Sequence, residues 1–146
     1  MTCLLITGIA LGVGMMCAAT GVIGDPTTVL LPDDTAVVEQ GPDLYGSHCA
    51  AFHGSALEGQ PDWRSCNADG RMRAPPQDAS GHTWHHDGAT LFQLTKVSVA
   101  EIVGDPGYQS DMPAFADILT DAEIVTVLSY IKSTWPLKLR ESHDRL

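Results

Sequence analysis

Residues 54–80 are crowded with Gly, Pro, Asp and Asn, and the Pro75-Pro76 pair rules out a helix there. The segment reads as one long ordered loop, and a loop of that length in a compact domain needs something to pack on. The helices around it are short. A helical stretch over residues 35–52 is interrupted by Gly41-Pro42, so the stronger helix begins at Pro42, where a first-turn proline is tolerated. A short helix after Asp87 turns Leu91, Phe92 and Leu94 inward, a helical turn holds residues 99–103, and residues 104–113 are loop again. The clearest helix is the last: Thr120 and Glu123 form a capping-box pattern, Ile124, Val127, Leu128 and Ile131 follow at helical spacing, and Pro136 closes it. Residues 137–146 read as a charged tail that frays. The expected fold is all-α, with three to five short helices, no strand set, and a core too thin for its loops. A large buried group would mend that deficit.

Residues 1–24 carry no charged side chain, and from Cys3 onward they are dominated by Leu, Ile, Val, Met, Ala and Gly. Such a segment is long enough to be an export signal or to span a membrane once. Cys17-Ala18-Ala19 offers small residues for cleavage after Ala19, whereas no Lys or Arg stands near Met1 to make a strong basic start. Signal peptide and membrane anchor both place the remainder outside the cytoplasmic membrane. Residues 25–34, with Pro26, Pro32 and three acids, read as a linker to one domain over residues 35–136. The net charge of -10 falls entirely after the leader. An acidic surface repels nucleic acid and anionic headgroups, so nucleic-acid binding is set aside and an electrostatically steered partner should present a basic face. Of the four cysteines, Cys3 and Cys17 lie in the leader, and Cys49 with Cys66 allow at most one disulfide.

Cys49-Ala50-Ala51-Phe52-His53 is one residue away from the C-x-x-C-H signature of haem attachment, with Phe52 where the second cysteine would stand. In the full motif two thiolates add to the two haem vinyl groups while the adjoining imidazole ligates the iron. Here Cys49 supplies one thioether at most, and His53 keeps the spacing of a proximal ligand. Met112 stands in the loop sequence Ser110-Asp111-Met112-Pro113-Ala114-Phe115, from which its polarizable sulfur can take the second axial position. His82, His85 and His86 form a dense imidazole cluster that could bind Cu(II) or Zn(II), although Trp84 and its neighbours more simply line a haem edge or hydrogen-bond a propionate. Trp63 is either a haem-packing ring or a loop anchor, Arg71 and Arg73 either neutralise propionates or are solvated, and His48 and His143 read as solvated. Cys66 lies too far along the chain to replace the missing cysteine.

These motifs together resemble a class I c-type cytochrome of the bacterial monohaem kind. The likeness runs from about Asp34 to Pro136 through Gly41 and Tyr45, Cys49 and His53, residues 57–63 and 81–86, Met112 to Phe115, and Ser129 to Lys132. The resemblance implies the cytochrome c fold, with the first and last helices crossing at Gly41 against Tyr45 and Tyr130. It also implies a single haem c between His53 and Met112, with Cys49, Phe52, Trp63 and Trp84 around it. Both axial positions are then filled, so the implied activity is outer-sphere transfer of single electrons between redox proteins, in the periplasm or on the outer face of the inner membrane, rather than enzymatic conversion. Phe52 departs from the family pattern, and the competing reading is a degenerate module that holds haem non-covalently or a metal through His82, His85 and His86.

Overall fold

The computed structural model describes residues 29–146, so the apolar leader and residues 25–28 lie outside it. The regular elements of the described residues are helices: α1 Thr35–Val38, α2 Gly41–His48, α3 Ala50–His53, a 3₁₀ turn Thr83–His85, α4 Gly88–Val97, α5 Val99–Val103, α6 Asp121–Ser133 and α7 Leu137–His143. The architecture is all-α, as expected. The helices outnumber the expected three to five because residues 35–53 break twice. Asp34 caps α1 by accepting from the Ala36 and Val37 amides, α2 restarts with Pro42 in its first turn, and Cys49 separates α2 from α3. The only β pairing among the described residues is an isolated bridge between Cys66 and Met72.

The frame is the crossing of α2 over α6. The capping box of α6 is formed in both directions: the Thr120 side chain accepts from the Glu123 amide, and the Glu123 carboxylate accepts from the Thr120 amide at 2.8 Å. Ile124, Val127, Leu128 and Ile131 are all buried, which makes this helix the apolar floor of the domain. Gly41 lies so close that a Cβ on it would stand 2.1 Å from Tyr130 Cβ. Only a residue without a side chain permits that approach. The Tyr45 and Tyr130 rings meet beside the crossing at 5.9 Å and 59°.

The long loop is ordered by its own backbone. Gly59 donates to His53 O at 2.8 Å, Gln60 to Ala74 O at 2.9 Å and Gln77 to Leu57 O at 2.8 Å, which folds residues 54–77 into a doubled-back flap. At Gly59, φ is +69° and a Cβ would lie 2.4 Å from Pro76 N, so two backbone segments touch there. Leu57 also holds a positive φ of 64°, yet its side chain is buried. Left-handed backbone costs about 1–2 kcal/mol, and burying a leucine returns about 1.5–3 kcal/mol, so the anchor wins. Trp135 at the end of α6 fixes the far edge by donating its indole N–H to Gln77 O at 2.8 Å.

Two expectations need correction. The charged tail is not frayed, because Pro136 opens the new helix α7, whose Leu139 and His143, four residues apart, pack inward while Lys138 and Glu141 face water. The segment after the leader is not a free linker in its described part either. Leu30 is buried, the Leu31 amide donates to Ser129 Oγ at 2.9 Å, and Asp33 pairs with Arg140 of α7 at 2.6 Å.

Candidate cofactor cavity

Between α2–α3, the flap, α4–α5 and α6 the domain encloses a cavity of about 450 Å³. Its floor is apolar, with Leu91, Leu94, Phe115, Val127, Leu128 and Ile131 in the wall. Cys49, Phe52, His53, Trp63 and Met112 all reach it, so the structure brings five of the six expected site residues together. The sixth, Trp84, does not line the cavity. It sits in the 3₁₀ turn Thr83–His85, and its ring stacks on His85 at 3.7 Å. Trp84 is thus set apart from the other five, packed against the core with its indole N–H buried and unpartnered.

His53 is the best-defined group. It is 7% exposed, and its Nδ1 lies 2.8 Å from Pro75 O. A carbonyl accepts only, so Nδ1 carries the proton and Nε2 keeps its lone pair for a metal. Burial holds the ring's pKa below its ordinary value, against the smaller opposing effect of the Pro75 carbonyl, and so favours the neutral form that can ligate. Cys49 stands one turn earlier at the α2–α3 break, half-buried and free, with its thiol pushed up to about 11 by burial. Tyr45 supports this turn by donating its hydroxyl to Gly54 O at 2.8 Å, and burial drives its pKa upward. Phe52, at the position of a second cysteine, is 41% exposed on the cavity rim.

Met112 arrives on a loop pinned at several points. Its amide donates to Ser110 Oγ at 3.1 Å, and the Phe115 amide donates to the Lys96 carbonyl at 3.1 Å at the end of α4. Asp111 pairs with Arg71 Nε of the flap at 2.9 Å. Arg71 is therefore engaged in protein ion pairs, whereas Arg73 lines the cavity and donates to Ser65 Oγ at 2.9 Å.

The three histidines of the cluster part company. His82 and His86 face the cavity, His85 lies on Trp84, and no group of three His, Cys, Asp or Glu among the described residues is placed to hold a metal ion. That geometry removes the support for a shared metal on His82, His85 and His86. Cys66 is exposed and free, with its Sγ 3.6 Å from Met72 Sδ, and it takes no part in the cavity wall. Sequence reading missed His48, which is in the wall with its ring edge-on to Phe115 at 6.3 Å, and it missed Met72. His48 was legible in principle, since it lies four residues before Phe52 on the helical path. His143 was read as solvated and is buried against Trp135 at 5.3 Å.

The residues fit a haem. A mainly apolar cavity in the size range of cofactor pockets presents a neutral imidazole of fixed tautomer, a thiol on the same turn, a thioether and, on Gln77, a buried amide oxygen with no hydrogen-bond partner. Fold and site together define a small helical haem carrier. The cytochrome c family model matches residues 38–135, and the chain belongs to that family. Members of the family bind covalently attached haem c and typically act outside the cytoplasm, and membership supports a haem-binding electron-carrier role with redox protein partners. No curated protein and no solved structure matches the chain. Among the described residues no helix is long and apolar enough to cross a membrane.

Proposed function

We propose that this chain is a monohaem c-type cytochrome carrying single electrons between redox proteins outside the cytoplasmic membrane, in which His53 Nε2 and Met112 Sδ would hold the iron and Cys49 would supply one thioether. The observation that carries this reading is the buried His53 ring, whose Nδ1 is committed to Pro75 O at 2.8 Å within a cavity that also receives Met112 and Cys49. When bound, the haem supplies a one-electron ferric/ferrous couple, and a sulfur ligand favours the ferrous state. His53 would fix orientation, the walls of α4 and α6 exclude water, and Cys49 would supply a thiol whose S–H adds across a vinyl group, sulfur to one carbon and hydrogen to the other. No general acid or base is required. The acidic chain suits a partner with a basic docking face, and residues 1–24 suit a signal peptide or an anchor that delivers the domain to the periplasmic side.

Phe52 favours a second reading, in which the haem is held without any covalent bond. Expression with the leader in a host that matures c-type cytochromes, followed by acid-acetone extraction, separates the two. Haem that stays with the protein supports the Cys49 thioether. Extractable haem supports the second reading, and a colourless protein that takes up no added porphyrin overturns both. An unchanged absorption spectrum in Met112→Ala would remove Met112 as a ligand.

A further inference from the structure

The ligation proposed above makes no use of the segment from His82 to His86, yet that segment places two imidazoles in the cavity wall. His82 stacks on the Trp63 indole with centroids 5.2 Å and planes 11° apart, and His86 meets His82 edge-on at 5.5 Å. The Arg64 guanidinium also covers Trp63, 4.1 Å from the ring centroid. His82 is exposed at the rim, so it exchanges protons directly with solvent while facing the cofactor space. Partial burial, with His86, His85 and Arg64 as like-charged neighbours, holds its pKa below the ordinary value. Besides Cys49 and His53, the other charged or titratable groups on the cavity wall are Arg73 of the flap, Tyr108 and Asp111 of the methionine loop, the latter already paired with Arg71, and His48 at the end of α2.

From this placement we infer that His82, with His86 beside it, is a proton-loading site coupled to the oxidation state of the haem iron, a role that rests on the haem reading above. Ferric iron carries one more positive charge than ferrous iron, and a nearby positive charge disfavours an imidazolium. When a redox partner delivers one electron, the His82 imidazole takes one proton from solvent. When the electron leaves, the proton leaves with it. His86 tunes the pH at which this happens, because a second imidazolium at 5.5 Å repels the first.

The test is the midpoint potential of the haem-loaded full chain as a function of pH, for the native protein, His82→Gln and His86→Gln. The native potential is expected to fall as pH rises through a window below neutrality, approaching about 59 mV per tenfold change in proton concentration for one electron. His82→Gln flattens that window, and His86→Gln moves it to higher pH. A second measurement needs no variant: the His82 ring protons, followed by NMR, titrate at lower pH in the ferric than in the ferrous protein. A potential independent of pH, a slope that survives His82→Gln, or equal titration in both redox states overturns the inference. Each of these is seen only in haem-loaded protein, so it is distinct from failure of the haem reading, which shows as a missing Soret band.

Discussion

The two walls that bring His53 and Met112 to the cavity are built by different means. The His53 wall is helical: α2 and α3 are locked to α6 at the Gly41–Tyr130 contact, and the imidazole is hydrogen-bonded through Nδ1. The Met112 wall is loop, held by turn hydrogen bonds and by the half-exposed pair of Arg71 with Asp111. A pre-set ligand on a rigid wall loses little freedom on binding, whereas a ligand on a loop can settle onto the metal afterwards. On the proposed ligation, the difference would give capture and orientation of the cofactor to the first wall and adjustment to the second.

Removing the rigid ligand should therefore have the largest effect. His53→Ala is expected to abolish stable haem incorporation, read as loss of the Soret band in purified protein. Met112→Ala, by contrast, keeps haem and changes only the ligand-sensitive part of the spectrum. Equal haem retention in the two variants would erase the distinction between the walls.

The next effect falls on the crossing that supports His53. Gly41→Ala puts a methyl group 2.1 Å from Tyr130 Cβ, and overpacking of this kind costs about 1–3 kcal/mol. Chemical denaturation of the apoprotein and the haem-loaded protein should show the loss in both. A neutral result would mean that α2 can ride off α6 without cost.

The flap, tied to the loop wall through Arg71 and Asp111, has its own support below it, and this support is expected to be sensitive to pH. Trp135 holds Gln77 O, and His143 packs on Trp135 with both ring nitrogens buried. Burial and the Lys132 ammonium lower the His143 pKa, against the smaller pull of Asp144, the His86 carbonyl and Asp87. The unfolded chain then binds a proton near pH 6.5 that the folded chain refuses, so this stabilising contribution is complete above that pH and declines as the pH drops below it. Denaturation midpoints compared on either side of about pH 6.5 should fall on the acid side, and His143→Leu should reduce that fall. An equal fall in the variant would place the sensitive group elsewhere.

Much of the rigid wall was legible in the residues, because its devices are local or periodic. The capping box at Thr120, the apolar spacing from Ile124 to Ile131 and the His53 spacing all depend on a few neighbouring positions. The small residue at Gly41 facing Tyr130 came instead from the family resemblance. The loop wall was legible only in outline. Nothing local says that Gln77 meets Trp135 across the molecule, or that the Trp84 ring turns out of the cavity while His82 and His86 turn in. The tail was misjudged for a related reason: Lys138, Arg140 and Glu141 dominate its composition, and only the spacing of Leu139 and His143 hints at an inward face. His48 and His143 were read by polarity, although neutral imidazoles are readily buried.

The smallest expected effect bears on how loosely Met112 is held. Asp111 and Arg71 are 38% and 33% exposed at their side chains, and pairs of that kind contribute about 0.2–1 kcal/mol. A double-mutant cycle with Arg71→Ala and Asp111→Ala should return a coupling in that range for global stability. Because the pair ties the methionine loop to the flap, each single variant should also speed displacement of the Met112 sulfur by an added ligand such as imidazole, followed in the haem-loaded protein by absorbance. If displacement stays at the native rate while stability drops, the pair holds the flap alone, and the adjustable character of the second wall resides in the Ser110 to Phe115 backbone.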